Sequence, residues 1–174
     1  MRKNDTLLII SFWGLGLVSL AQTTPVQPAP APYPRVVGYF SVVHPLLTMT
    51  ADETTTNFSS AYTVGFPTGV NILKSDRIGF SFEITPFIRA ENGNSRVNNV
   101  LFHPGVMFRF PHYFTINARL AFETSGRYGF TAVLSQVMKR NKHTSYFIAV
   151  PLPVRFGNSA PSSAGIGLQF GIGF

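Results

Sequence analysis

Between residues 78 and 89 the chain places Ile78, Phe80, Phe82, Ile84, Pro86 and Ile88 at every second position, with Gly79, Ser81, Glu83, Thr85, Phe87 and Arg89 between them. Strand side chains alternate between faces, so this two-residue period predicts a β-strand with one greasy face and one small or polar face. The split recurs over 98–110, where Val100, Phe102, Pro104, Val106, Phe108 and Phe110 oppose Leu101, His103, Gly105, Met107 and Arg109. It recurs again over 113–124, 145–156 and 164–174, and over 128–139 with Gln136 as the one polar residue on the apolar face. Two earlier segments, 36–49 and 58–72, are less regular, with apolar residues on both faces around Val42 to Leu47. No window sustains a 3.6-residue period, and turn residues arrive every dozen or so positions. The pattern predicts an all-β chain of eight antiparallel strands.

Alternation alone does not say which face meets water. A soluble sandwich or lipocalin-like barrel turns its apolar face inward and coats the other with Lys and Glu. Here the second face is mostly Gly, Ser, Thr, Ala and Asn with scattered charges, and only 12% of the chain is charged, about half the 25% typical of soluble proteins. With 45% hydrophobic residues and 17 Phe, the balance favours an up-and-down transmembrane β-barrel. The small and polar face would line a narrow lumen and the apolar face would meet hydrocarbon. About 11 residues per strand at roughly 3.3 Å each, tilted about 45°, span about 26 Å, the height of an outer-membrane apolar band. A soluble lipocalin-like binder is the fold-level alternative.

Prolines oppose a regular ladder because each removes a donor. Pro67, Pro86, Pro104 and Pro151 fall inside predicted strands, so bulges or strand ends are expected there. With both chain ends on the periplasmic side, the outer connections are 50–57, 90–97, 125–127 and 157–163, and the inner ones 73–77, 111–112 and 140–144. Asn92-Gly93-Asn94 and Gly157-Asn158 carry turn chemistry.

Residues 1–21 open with Arg2 and Lys3, run apolar from Leu7 to Val18 and end in Ser19-Leu20-Ala21, the layout of a cleaved signal peptide. The run falls short of the roughly 18 residues that span a bilayer as a helix. Residues 22–35, with Pro25, Pro28, Pro30, Pro32 and Pro34, form a Pro-rich periplasmic linker favouring extended polyproline structure. The barrel domain is 36–174. With no Cys in the chain, disulfides, thiolate metal sites and Cys catalysis are excluded.

The chain ends Gly165-Ile166-Gly167-Leu168-Gln169-Phe170-Gly171-Ile172-Gly173-Phe174. A terminal Phe preceded by apolar residues at alternate positions resembles the last strand of bacterial outer-membrane barrels. Together with the signal segment and the eight strands, about 140 residues resemble a small barrel of the OmpA or OmpX architecture. The resemblance implies location in the outer membrane of a Gram-negative bacterium and contact with its lipid and lipopolysaccharide. It also implies recognition of Phe170, Ile172 and Phe174 by the barrel assembly machinery.

The predicted lumen face carries Glu83, Arg89, His103, Arg109, Arg119, Glu123 and Arg155. Charges in a low-dielectric tube must pair. The expected arrangement is a structural plug in which Arg109, Arg119 and Arg155 clamp Glu83 and Glu123, because eight strands leave an interior just filled by side chains. The expected role is structural, or adhesion and ligand contact through the outer loops. A narrow anion-preferring solute pore is the alternative. A lipid-modifying outer-membrane enzyme is a weaker one, resting on His143-Thr144-Ser145, whose spacing resembles outer-membrane lipid A deacylases. Those residues fall on a predicted periplasmic turn among Lys139, Arg140 and Lys142 with no acidic residue beside them, so no catalytic set is expected. No metal or cofactor is expected, since the histidines lack ligand spacing and no phosphate-binding loop is present.

The net charge of +7 is dispersed, without a basic helix or aromatic-basic motif, which argues against a nucleic-acid partner. Lys74, Arg77, Lys139, Arg140 and Lys142 gather at the predicted periplasmic ends, where anionic headgroups lie. Tyr39, Tyr113, Phe114, Tyr128, Tyr146 and Phe156 are placed near strand ends as an aromatic girdle.

Overall fold

Strands with one apolar and one small-residue face satisfy both backbone and side chains by curling into a ring, and this chain does so. The computed structural model describes residues 32–157 and 160–174. The predicted signal segment 1–21, the linker residues 22–31 and Asn158 lie outside the described residues. In chain order the strands are β1 (Arg35–Met49), β2 (Thr54–Thr56), β3 (Tyr62–Gly65), β4 (Thr68–Leu73), β5 (Ile78–Glu91), β6 (Asn94–Arg109), β7 (Phe114–Glu123), β8 (Tyr128–Arg140), β9 (Ser145–Phe156) and β10 (Ser163–Gly173). Each wall strand pairs antiparallel with its sequence neighbour. β3 and β4 are two halves of one wall strand between β1 and β5, and β2 is a short addition to the outer end of β1. The wall is therefore a ring of eight strands.

The ring closes where β10 returns to β1, from Tyr39↔Gly173 to Met49↔Ala164. Gly38 and Phe174 extend the closure by exchanging backbone hydrogen bonds of 3.0 and 2.9 Å. Parity follows the sequence. Ser81, Glu83, Thr85, His103, Arg119, Ala121, Thr131 and Ala149 are buried, while Phe82, Ile84, Phe102, Leu120, Phe122, Phe130 and Phe170 are exposed on the outer surface. Leu120 at 57% and Ala121 at 0% are chain neighbours, so the contrast is set by strand alternation.

The connections differ from expectation in two places. The predicted loop 90–97 is strand: Asn92 (φ 49°) and Gly93 (φ 77°) make a two-residue turn between Glu91 and Asn94, the geometry that Asn-Gly favours in hairpins. The second wall strand begins at Tyr62 rather than 58, because 54–56 folds back onto Leu47–Met49. The first outer connection is thus long, and the second is as tight as any inner turn.

The prolines act as the ladder chemistry requires. Pro67 sits in the break between β3 and β4, where its carbonyl accepts from the Ser41 N–H. Pro86 directly precedes a bulge at Phe87/Ile88. Pro104 and Pro151 lie in continuous strands without a bulge, contrary to expectation. At Pro104 the pairing with β7 lapses between Phe102↔Phe122 and Gly105↔Arg119. At Pro151 and Pro153 the pairing with β10 lapses between Ala149↔Gln169 and Val154↔Ala164. The missing donor is absorbed by opening one ladder instead of kinking the strand.

Two glycines on the inner face make room for large lumen side chains. A Cβ on Gly105 would stand 2.6 Å from Arg119 Cγ and against the Ala118 carbonyl, and one on Gly69 would overlap the Tyr39 phenol. Gly105→Val is therefore expected to lose about 1–3 kcal/mol of stability or more. It should lower the temperature at which the folded band disappears in heat-modifiable gel mobility, whereas Ala118→Val on the outer face should leave it unchanged.

Candidate functional site

Four wall strands, β1, β5, β6 and β7, converge on one buried carboxylate. Glu83, on the inner face of β5, accepts from the Tyr39 hydroxyl at 2.7 Å and from Arg119 Nη1 at 2.8 Å through one oxygen. Its other oxygen accepts from the Thr85 hydroxyl at 3.2 Å and lies 3.0 Å from His103 Nδ1. Arg119, from β7, also donates through Nη2 to the Tyr39 and Ser81 hydroxyls, both at 2.9 Å. The Glu83 and Arg119 side chains are each 4% exposed. A buried charge is tolerable when paired and well hydrogen-bonded; Glu83 has four donors, and Arg119 uses both terminal nitrogens, with only its Nε left without a partner.

A second pair extends the network outward. Arg155, on β9, donates through Nε to Glu123 at 2.8 Å and through Nη1 to the Thr131 hydroxyl at 3.0 Å. Glu123 accepts in addition from Asn99 and Ser125. His103 joins the two halves: its Nε2 lies 3.1 Å from the Thr131 hydroxyl and 3.3 Å from Arg155 Nη2. Arginine is donor-only, so Nε2 accepts and Nδ1 carries the proton given to Glu83, which describes a neutral imidazole. On the opposite wall Gln169 donates to Ser41 at 2.8 Å, and Ser41 donates to the Pro67 carbonyl, satisfying the acceptor at the strand break.

Of the seven charged residues predicted for the lumen, Glu83, His103, Arg119, Glu123 and Arg155 come together. Arg89 and Arg109 do not, and Arg109 clamps neither carboxylate. Arg89 lies at the outer end of β5, hydrogen-bonded to Glu91, and holds that exposed carboxyl below its usual range. Arg109 lies at the inner mouth, where it donates to the Ser75 carbonyl at 3.1 Å and reaches the Tyr33 hydroxyl. Both have inward parity, but strands longer than the buried zone carry inward positions beyond it.

Tyr39 is the reverse case. Placed in the aromatic girdle from sequence, it is 4% exposed and belongs to the lumen core. Its parity is shared with Ser41 and Val43, but apolar residues on both faces of β1 hide that signal. The girdle assignment suits Tyr113, Tyr128 and Tyr146, which are exposed, with Tyr128 and Phe156 rings 6.1 Å apart at the outer rim. Phe170, Ile172 and Phe174 project outward from β10, and Lys74, Arg77, Lys139, Arg140 and Lys142 all sit at or beside inner turns.

No protein-family model and no curated protein matches this chain. Among solved structures, a de novo designed transmembrane β-barrel aligns over 82% of this chain and 97% of its own, with a TM-score of 0.52 and 12% identity. The solution NMR structure of the de novo designed protein TMB2.3 aligns over 81% of this chain and 94% of its own, with a TM-score of 0.45 and 13% identity. The first of these likenesses bears on fold alone. This chain has the eight-stranded antiparallel architecture of transmembrane β-barrels; neither OmpA nor OmpX membership follows from it.

Removing one member of the central pair leaves the other charged and buried, a loss of about 3–5 kcal/mol. Arg119→Met and Glu83→Gln should each lower the urea midpoint of the refolded barrel. The double variant should lose less than the sum of the two, with a coupling above about 1 kcal/mol; strict additivity would contradict the pairing.

Proposed function

We propose that this chain is an integral barrel of the outer membrane of a Gram-negative bacterium. Its lumen is closed by side chains, and its role is structural or one of surface contact through the outer end. One observation carries the reading: an apolar belt surrounds the whole tube while the Glu83–Arg119 and Arg155–Glu123 pairs cross its interior. An apolar exterior is stable against hydrocarbon, and a closed ring leaves no sheet edge there to be satisfied. The signal-like 1–21 segment, the alternating Phe170, Ile172 and Phe174 and the basic inner rim support export, recognition by the assembly machinery and contact with anionic headgroups.

The outer end supports contact more than conduction. Beyond Asn99 and Val100, which still bond Glu123 and Thr124, the β5–β6 hairpin rises with no ladder pair to β7, exposing Asn94 to Asn98, with Val97 62% exposed. Phe58, in the first outer connection, is 66% exposed. Apolar side chains presented on polar, projecting elements are features of contact surfaces. The surface ligand is undefined, and neither a cofactor nor catalysis enters this proposal.

Nitroxides attached after Phe82→Cys, Leu120→Cys and Ile148→Cys should collide with lipid-dissolved oxygen, and one at Ala149→Cys should not. Inaccessible outward labels would overturn the membrane placement. In planar bilayers the unmodified protein should show no stable conductance level; discrete steps would favour the narrow pore.

A further inference from the structure

The charge network fills the middle of the barrel but leaves room beside its outer pair. A cavity of about 80 Å³ lies in the outer half, walled by Val43 and Pro45 of β1, Leu101 of β6, Val133 of β8 and Pro151 and Pro153 of β9. A water needs roughly 10–15 Å³ and two to four polar partners. The size admits several waters, but of the polar side chains that also border it, Thr85, His103, Thr131, Arg155 and Gln169 are already hydrogen-bonded within the barrel, which leaves a mostly apolar free surface. Such a space favours hydrocarbon over water.

The wall beside this cavity is weakest at the same height. No ladder pair joins Val150–Pro153 to Gly165–Leu168, although both stretches stay paired to their other neighbours. Proline rings pack directly on glycine backbone across the seam: a Cβ on Gly167 would stand 3.0 Å from Pro151 Cγ, and one on Gly165 would stand 3.4 Å from Pro153 Cγ. Pro151 and Pro153 have no N–H to donate across the seam, so fewer hydrogen bonds hold β9 to β10 here than in an intact ladder, and opening it costs less than elsewhere in the ring. Ile166, between those glycines, has outward parity and is 38% exposed, yet it also borders the cavity. The apolar exterior and the cavity thus share a residue.

We propose that the outer-half cavity takes the end of one acyl chain from the surrounding lipid, admitted through the β9–β10 seam between Pro151, Pro153 and Gly165, Gly167. The inference rests on the membrane placement above. Val150, Leu152, Val154 and Leu168 flank the seam, so hydrocarbon passes and a charged headgroup stays in its own layer. The network, with Arg119 and Glu83 at the cavity's base and Arg155 on its wall, limits how deep the chain reaches.

The full mature protein, deuterated with protonated methyl groups, would be placed in phosphatidylcholine nanodiscs and examined for NOEs from acyl methylene protons. Expected are NOEs to the Leu120 methyls outside and to the Val43, Leu101 and Val133 methyls inside, with none to Met107, which is buried in the inner half. NOEs to Leu120 without any to the three cavity residues overturn the proposal and leave the membrane placement intact. Absence at Leu120 as well overturns both. In P151V/P153V, which restores both donors, the interior NOEs should vanish; their persistence refutes the seam as the route. If that variant does not fold, Val133→Phe should fill the cavity and abolish the NOEs to Val43 and Leu101, and their survival is equally fatal.

Discussion

Closure of the backbone ladder is the constraint from which the other features follow. An open antiparallel sheet of this length has two edges of unpaired N–H and C=O groups, each costly wherever water is absent. The return of β10 to β1, with Gly38 and Phe174 bonded to each other, removes those edges. Once the ring is shut, strand parity divides every residue between an inside and an outside. The interior of an eight-stranded ring is narrow enough that its contents are decided by side-chain volume. Gly69 and Gly105 stand where Tyr39 and Arg119 need space, so the small-residue face is fitted to its large occupants.

Those occupants explain why the tube is filled instead of open. Glu83 alone would be a severe desolvation penalty, but four donors surround it, and Arg119 is in turn held by Tyr39 and Ser81. The second pair, Arg155 and Glu123, is likewise held by several hydrogen bonds and linked to the first through His103 and Thr131. An excess of basic side chains along the chain might suggest an anion path, yet in the buried zone each carboxylate faces an arginine. Arg89 and Arg109, which create the apparent excess on the inner face, are spent at the two mouths.

Much of this architecture was legible in residue order. The alternation of Phe80, Phe82 and Ile84 with Ser81, Glu83 and Thr85 showed the strand and which residues share a face, and the small, charge-poor composition of the second face showed which side is the lumen. The five inward members of the lumen network, Glu83, His103, Arg119, Glu123 and Arg155, were visible for the same reason. Tyr39 was not: β1 carries apolar residues on both faces, since its inner face lines the outer-half cavity through Val43 and Pro45. The reach of β5 and β6 past the rim was missed because Asn92-Gly93 is compatible with a loop as well as with a two-residue turn, and polar residues on both sides give no parity signal. Where a proline interrupts pairing depends on which neighbour its nitrogen faces, and residue order alone does not contain that information.

The geometry of the central pairs also bears on mechanics. Tyr39 on β1 and Arg119 on β7 stand opposite one another in the ring, and Glu83 on β5 bonds to both, so these bonds run across the bore as spokes rather than along the rim. A hollow cylinder flattens easily into an oval; one laced by charged spokes cannot do so without parting ions far from water. The cross-section is therefore stiff at mid-height, and distortion is confined to the rims and the proline-rich side.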